Sequence, residues 1–142
     1  MTAKTEFEDL VRDHKHKTGF EMPYLLEEYL VELLASRLER VDIIPEPSFA
    51  ERYMILAQQP RVELLKDFAD QCLFFTALLP DYGQRRGLNM DYYATLGIST
   101  YYTAGDLAHD TRFTQLGNWF YYLQKFLNTA IKPNQRLELF KL

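Results

Sequence analysis

Between Asp70 and Asp81 the chain carries no charged residue. The intervening run, QCLFFTALLP, closes a segment over residues 60–79 in which Leu65, Phe68, Cys72, Phe75 and Leu79 recur three and four apart. That spacing predicts one apolar helical stripe. Val62, Leu64, Ala69, Leu73 and Leu78 broaden it, while Arg61, Glu63, Lys66, Asp67 and Asp70 confine the polar face to the first half. A helix that loses its polar face is enclosed on all sides. The second half of this helix is therefore expected at the centre of a helical bundle, with Cys72 as a small core residue.

A chain of 142 residues fits a single domain with a substantial core. Ten Tyr, ten Phe and one Trp supply enough rings to fill that core and leave some over. The net charge of −4 offers no field that would draw a phosphate backbone, which argues against nucleic-acid binding. Cys72 is the only cysteine, so an intramolecular disulfide and a cysteine-based zinc site are excluded. The run over residues 72–79 is far short of the roughly 20 apolar residues needed to span a bilayer. The N-terminal MTAKTEFEDL has no apolar core of the signal-peptide kind. These features predict a soluble cytoplasmic protein with no membrane partner and no cofactor.

Periodicity and breaks along the chain predict an all-α, single-domain bundle of five to seven helices over residues 1–142. Thr5 with Glu8 fits a capping box, and Phe7, Leu10 and Val11 mark a short first helix. The polar run over residues 13–19 reads as a loop, making residues 1–22 a candidate mobile helix and loop. His14 and His16 lie two apart and would not share a helical face. Pro23 suits the first turn of a second helix running to about Val41, with Leu26, Leu30, Leu33 and Leu34 on its stripe. Glu28 and Glu32 read as its solvated acidic face. Pro45 and Pro47 break the pattern. Ser48 with Glu51 repeats the capping-box signature before a short helix that ends ahead of Pro60.

Residues 80–88 form a connection carrying Tyr82, Gly83, Arg85, Arg86 and Gly87, where the glycines permit positive φ. Asn89 is the expected cap of the next helix, so a helix N-terminus lies beside the two arginines. This is the chain's anion-binding candidate; the alternative is that the arginines pair with Asp81, Asp91 or the acidic helix faces. Over residues 89–109, Ala94, Gly97, Thr100 or Tyr101, Ala104 and Ala108 form a small-residue side that lets a neighbouring helix approach closely. The tyrosine pairs at 92–93 and 101–102 flank it, and tyrosine suits a core edge, an interface or a pocket rim. Asp106 and His109, three apart, are the one metal-ligand-like pair. Di-iron bundles use two such motifs and two further carboxylates, whereas His109 near a helix C-terminus also makes a favourable dipole contact.

The stretches LFFTALLPD and DYYATLGISTYY resemble a pattern found in small, uncharacterised bacterial helical proteins. There, an apolar helix ending in a Phe-Pro-Glu-like step precedes a Tyr-Tyr-x-x-x-Gly helix. The resemblance covers residues 68–108. Leu79-Pro80-Asp81 replaces that ending here, and Ser99-Thr100-Tyr101-Tyr102 follows the later residues in part. It implies an all-helical fold and no particular activity.

Gly105 is expected to kink or end the helix over residues 89–109, and Asp110 or Thr111 to cap the next, over residues 111–131. Phe113, Leu116, Phe120, Leu123, Leu127 and Ala130 mark its buried face, while Trp119, Tyr121, Tyr122 and Phe126 spread rings over other sides. Three faces cannot all pack on one core, so some of these rings are expected to meet another chain, the C-terminal tail or a ligand. Pro133 ends this helix, and residues 134–142 suit a short one docked by Leu137, Leu139 and Phe140. A Gly-rich phosphate loop, a Gly-x-Ser-x-Gly elbow and a His-Glu-x-x-His motif are absent from the sequence. The leading expectation is a non-enzymatic interaction or adaptor domain acting as a homodimer. Tyr82, Arg85, Arg86, Tyr93, Tyr101, Trp119 and Tyr122 are its contact candidates. Second comes a ligand-binding or sensor domain with a tyrosine-lined pocket and Arg85 or Arg86 holding an anion. Third is a metal-dependent enzyme using Asp106 and His109.

Overall fold

A computed structural model describes residues 2–38, 40 and 43–140. These residues form α-helices and no strand: α1 (Ala3–Thr18), α2 (Tyr24–Arg37), α3 (Phe49–Gln58), α4 (Val62–Leu78), α5 (Pro80–Arg85), α6 (Met90–Ala108), α7 (Thr111–Asn118), α8 (Phe120–Ala130) and α9 (Pro133–Leu139). The all-α expectation holds, but the nine helices among the described residues exceed the expected five to seven. The connection after Pro80 contains a helix of its own. The segment expected as one helix over residues 111–131 is broken at Trp119, directly after Gly117 and Asn118, two weak helix formers.

Every residue from 68 to 79 is buried, so α4 is the central element that its charge-free run predicts. Helix α6 packs along α4 and α8 packs on another side; α1 pairs with α2, and α6 with α7. The small-residue side of α6 is what allows the first of these contacts. A Cβ on Gly97 would lie 2.7 Å from Cys72 Cβ and 2.9 Å from Phe120 Cε2. The groove is thus filled within the chain by α4 and Phe120, and Ala108, at its end, is exposed.

The first helix is longer than expected. Thr2, not Thr5, caps it, its hydroxyl accepting from Thr5 N at 3.3 Å. The polar run that reads as a loop is its last turns, ended by Gly19 at φ 67°. Lys15, His16 and Lys17 fall where the helix dipole favours cations, and Lys15 Nζ reaches Glu27 Oε2 on α2 at 2.7 Å. Phe7 is buried and stacked with Phe140. Residues 3–18 are therefore one packed helix.

Pro23 stands at the N-cap of α2. The expected end of that helix, Val41, lies outside the described residues, as do Lys141 and Leu142 at the end of the last. Ser48 occupies the N-cap position of α3 but makes no side-chain capping bond there, so the second capping box does not form. The Asn89 and Asp110 caps do form: Asn89 Oδ1 accepts from Tyr92 N at 3.2 Å and Asp110 Oδ1 from Arg112 N at 2.9 Å. Gly105 does not end α6, which runs on to Ala108. It lets α7 fold back closely, since a Cβ there would meet Thr114 Oγ1 at 2.5 Å. Directly after α9, Phe140 docks as expected, whereas Leu137 within it is exposed. No helix among the described residues is long and apolar enough to cross a membrane.

Candidate functional site

The turn after α4 is built on two glycines with different jobs. Gly87, at φ 72°, ends α5, and the amides of Arg86 and Leu88 both donate to Gly83 O, at 3.0 and 2.9 Å. Gly83 does not take a positive φ; it is buried in α5, where a Cβ would run into the Met90 side chain and stand 3.0 Å from Phe75 Cζ. The turn throws Arg85 and Arg86 in different directions. The Arg86 guanidinium lies 3.5 Å from the Tyr82 ring centroid, a cation–π contact. Arg85 Nε donates to Asp81 O at 3.3 Å. The expected pairing with the Asp81 or Asp91 carboxylate does not form, because Arg85 turns to a backbone oxygen and Arg86 to a ring. Both arginines are exposed.

Arg85 also borders a cleft of about 160 Å³ between α5 and α9, together with Tyr82, Asp81 and Arg136. Arg136 was not singled out by its sequence, yet it is 7% exposed. Its Nε donates to Ile131 O at 2.8 Å, one terminal nitrogen to Leu78 O at 3.2 Å and the other to Asn128 O. These carbonyls end α4 and α8, where helix carbonyls lack intrahelical partners. Burial lowers the Arg136 pKa, with Asp81 opposing.

The tyrosines divide between core and surface. Tyr101 has no exposed surface, and its hydroxyl donates to Asp70 Oδ1 at 2.7 Å. The Tyr29 hydroxyl donates to the same oxygen at 2.6 Å, while Lys66 Nζ donates to Asp70 Oδ2 at 2.9 Å. Burial first, then the Asp70 charge, pushes both phenols well above the usual tyrosine range. Tyr101 is thus a core pin in this conformation, not a pocket rim. Tyr93 is also buried, its ring edge-on to Phe49 and Phe75, and burial raises its pKa. Burial pushes the Cys72 thiol up as well, which suits an inert core thiol rather than a nucleophile.

Tyr122 is exposed and Trp119 half-buried. They stand three apart across the start of α8, with ring centroids 5.7 Å apart. Phe20, in the α1–α2 connection, adds a third ring 6.2 Å from Tyr122 and 5.1 Å from Phe126. Phe126 beneath them is buried, while Tyr122 is 62% exposed. Tyr121, 53% exposed, leans on Phe120.

Asp106 lies in the last turn of α6 and His109 is its C-cap. His109 leaves α6 in the left-handed conformation at φ 51°, and no group of three or more His, Cys, Asp or Glu side chains among the described residues could hold a metal ion. Sequence reasoning missed that Tyr29, Lys66 and Asp70 form a cluster with Tyr101, and it missed the separate Arg136. The available signal was Asp70 itself, the last charge before an enclosed run. No family model matches the chain, and neither a curated protein nor a solved structure matches it.

Proposed function

We propose that the protein is a non-enzymatic interaction module that binds a second copy of itself through the surface formed by Phe20, Trp119 and Tyr122. The observation that carries this reading is the joined set of rings: Tyr122, 62% exposed, touches both Phe20 and Trp119. An exposed ring continuous with two half-buried ones, Phe20 and Trp119, is the kind of aromatic surface that is enriched where proteins meet. Amphipathic rings such as Tyr and Trp also give large contact area with little side-chain entropy to lose. The small-residue side of α6 contributes nothing to this interface, because α4 and Phe120 occupy it.

Size-exclusion chromatography with light scattering tests the reading. The wild-type chain is expected to run as a dimer at micromolar concentration. The double variant Trp119→Ser/Tyr122→Ser should be monomeric with an unchanged helical circular-dichroism spectrum. A wild-type chain that stays strictly monomeric across that range overturns the proposal.

A further inference from the structure

A guanidinium carries five N–H donors and a charge that cannot be titrated away in a protein. Arg136 directs its three bonds to neutral carbonyls, and among the described residues it forms no ion pair. Arg85 forms none either; its one bond is to a backbone oxygen. Both line the cleft between α5 and α9, and Asp81 is the only acid among the lining residues. Two guanidinium groups against one carboxylate leave an excess of one positive charge at the cleft. The rest of the wall is of the opposite kind, with Pro133 and Leu137 presenting apolar surface in front of the buried Leu78.

We propose that this cleft binds a small organic carboxylate, its apolar body against Pro133 and Leu137 and its charge held by Arg85 and Arg136. The charge excess selects an anion, and the planar fork of an arginine matches a carboxylate in shape. The cleft opens to solvent, and its 160 Å³ has room for a body of benzene size, which fits an enclosed apolar cavity of roughly 150 Å³. The ligand class is therefore an aryl carboxylate or a short-chain acid of similar bulk. The apolar wall disfavours free phosphate, whose remaining oxygens would face hydrocarbon.

The test is a titration of the full-length protein with benzoate, followed by amide NMR and calorimetry. Saturable one-to-one binding is expected, with shifts centred on Tyr82, Arg85 and Leu137. Benzyl alcohol, which keeps the ring and lacks the charge, should bind at least about tenfold more weakly, as should acetate. Arg85→Gln and Leu137→Asp, both at exposed positions, should each weaken benzoate by about tenfold without lowering the melting temperature. The proposal is overturned by the absence of saturable shifts at the cleft, by equal binding of benzoate and benzyl alcohol, or by an unchanged affinity in Arg85→Gln. Inorganic phosphate binding as tightly as benzoate would overturn it too. None of these readouts depends on dimer formation, so failure here leaves the self-association reading standing.

Discussion

The Tyr101 hydroxyl on α6 donates to Asp70 Oδ1 on α4 at 2.7 Å, inside a part of the bundle where Asp70 is 2% exposed. The same oxygen accepts from Tyr29 on α2, so one carboxylate oxygen joins three helices. Lys66, four residues earlier on α4, binds the other oxygen and keeps the charge compensated. A buried carboxylate is costly when left unpaired and tolerable when its lone pairs are met. Here Oδ2 is met by Lys66 from the same helix, and Oδ1 by two hydroxyls that arrive from helices distant in the chain.

Removing one of these donors should therefore destabilise the fold by about 1–3 kcal/mol. Tyr101→Phe and Tyr29→Phe are expected to fall in that range in urea denaturation. Asp70→Ala should cost more than either, since it strands two buried hydroxyls. The two Phe substitutions together should depart from additivity, because they share one acceptor. A Tyr101→Phe variant as stable as wild type would contradict this account.

The same cluster sets an alkaline limit. Folding raises the pKa of both phenols, so their contribution is fully present below the ordinary tyrosine value of about 10. It is lost as pH rises above that value, because the unfolded chain releases those protons more readily. The melting temperature should fall between about pH 9 and pH 11, and the fall should be shallower in the Tyr29→Phe/Tyr101→Phe variant. Parallel curves for the two proteins would count against the buried pair.

Two glycines in helices should respond differently to alanine. At Gly97 the added Cβ would meet Cys72 Cβ at 2.7 Å, an atom fixed to the backbone of a buried helix. The helix-propensity gain of about 1 kcal/mol is then outweighed by overpacking of about 1–3 kcal/mol, and Gly97→Ala should destabilise. At Gly83 the nearest atom is the terminal methyl of Met90, which can swing away, so Gly83→Ala should cost less. Thermal denaturation of both variants checks the order.

His14 should make the docking of α1 sensitive to acid. Its Nε2 lies 2.9 Å from Thr129 Oγ1, and that hydroxyl donates to the α8 backbone at Lys125 O. With the hydroxyl hydrogen on either α8 carbonyl within its reach, Lys125 O or Phe126 O, the arrangement calls for the Nε2–H tautomer of His14. Burial, then Lys132 and Lys17, lowers the His14 pKa below 6.5. A depressed histidine pKa means the stabilisation is present above about pH 6.5 and fades as pH falls through the folded value. The stability difference between wild type and His14→Gln should accordingly shrink from pH 7.5 towards pH 5. NMR of the ring nitrogens should report the Nε2–H tautomer at neutral pH.

The sequence by itself determined the features that depend on a few neighbouring residues. The charge-free run after Asp70 marked the enclosed half of α4, and Asn89 and Asp110 marked two helix starts through bonds that span three and two residues. Local signals misled where tertiary contacts overrode them. The polar end of α1 looks like a loop until Glu27 and Thr129 are beside it. The surplus rings were legible as a surplus, but which of them stay exposed was not. Only the tertiary structure decided that α4 fills the small-residue side of α6, that Tyr101 points inward to Asp70 across 31 residues, and that Arg136 reaches Leu78 across 58. The physical reason is range: caps, periodicity and the Lys66–Asp70 pair are written within one or two turns, whereas the remaining hydrogen bonds of a buried charge go to whichever distant helix the packing brings to it.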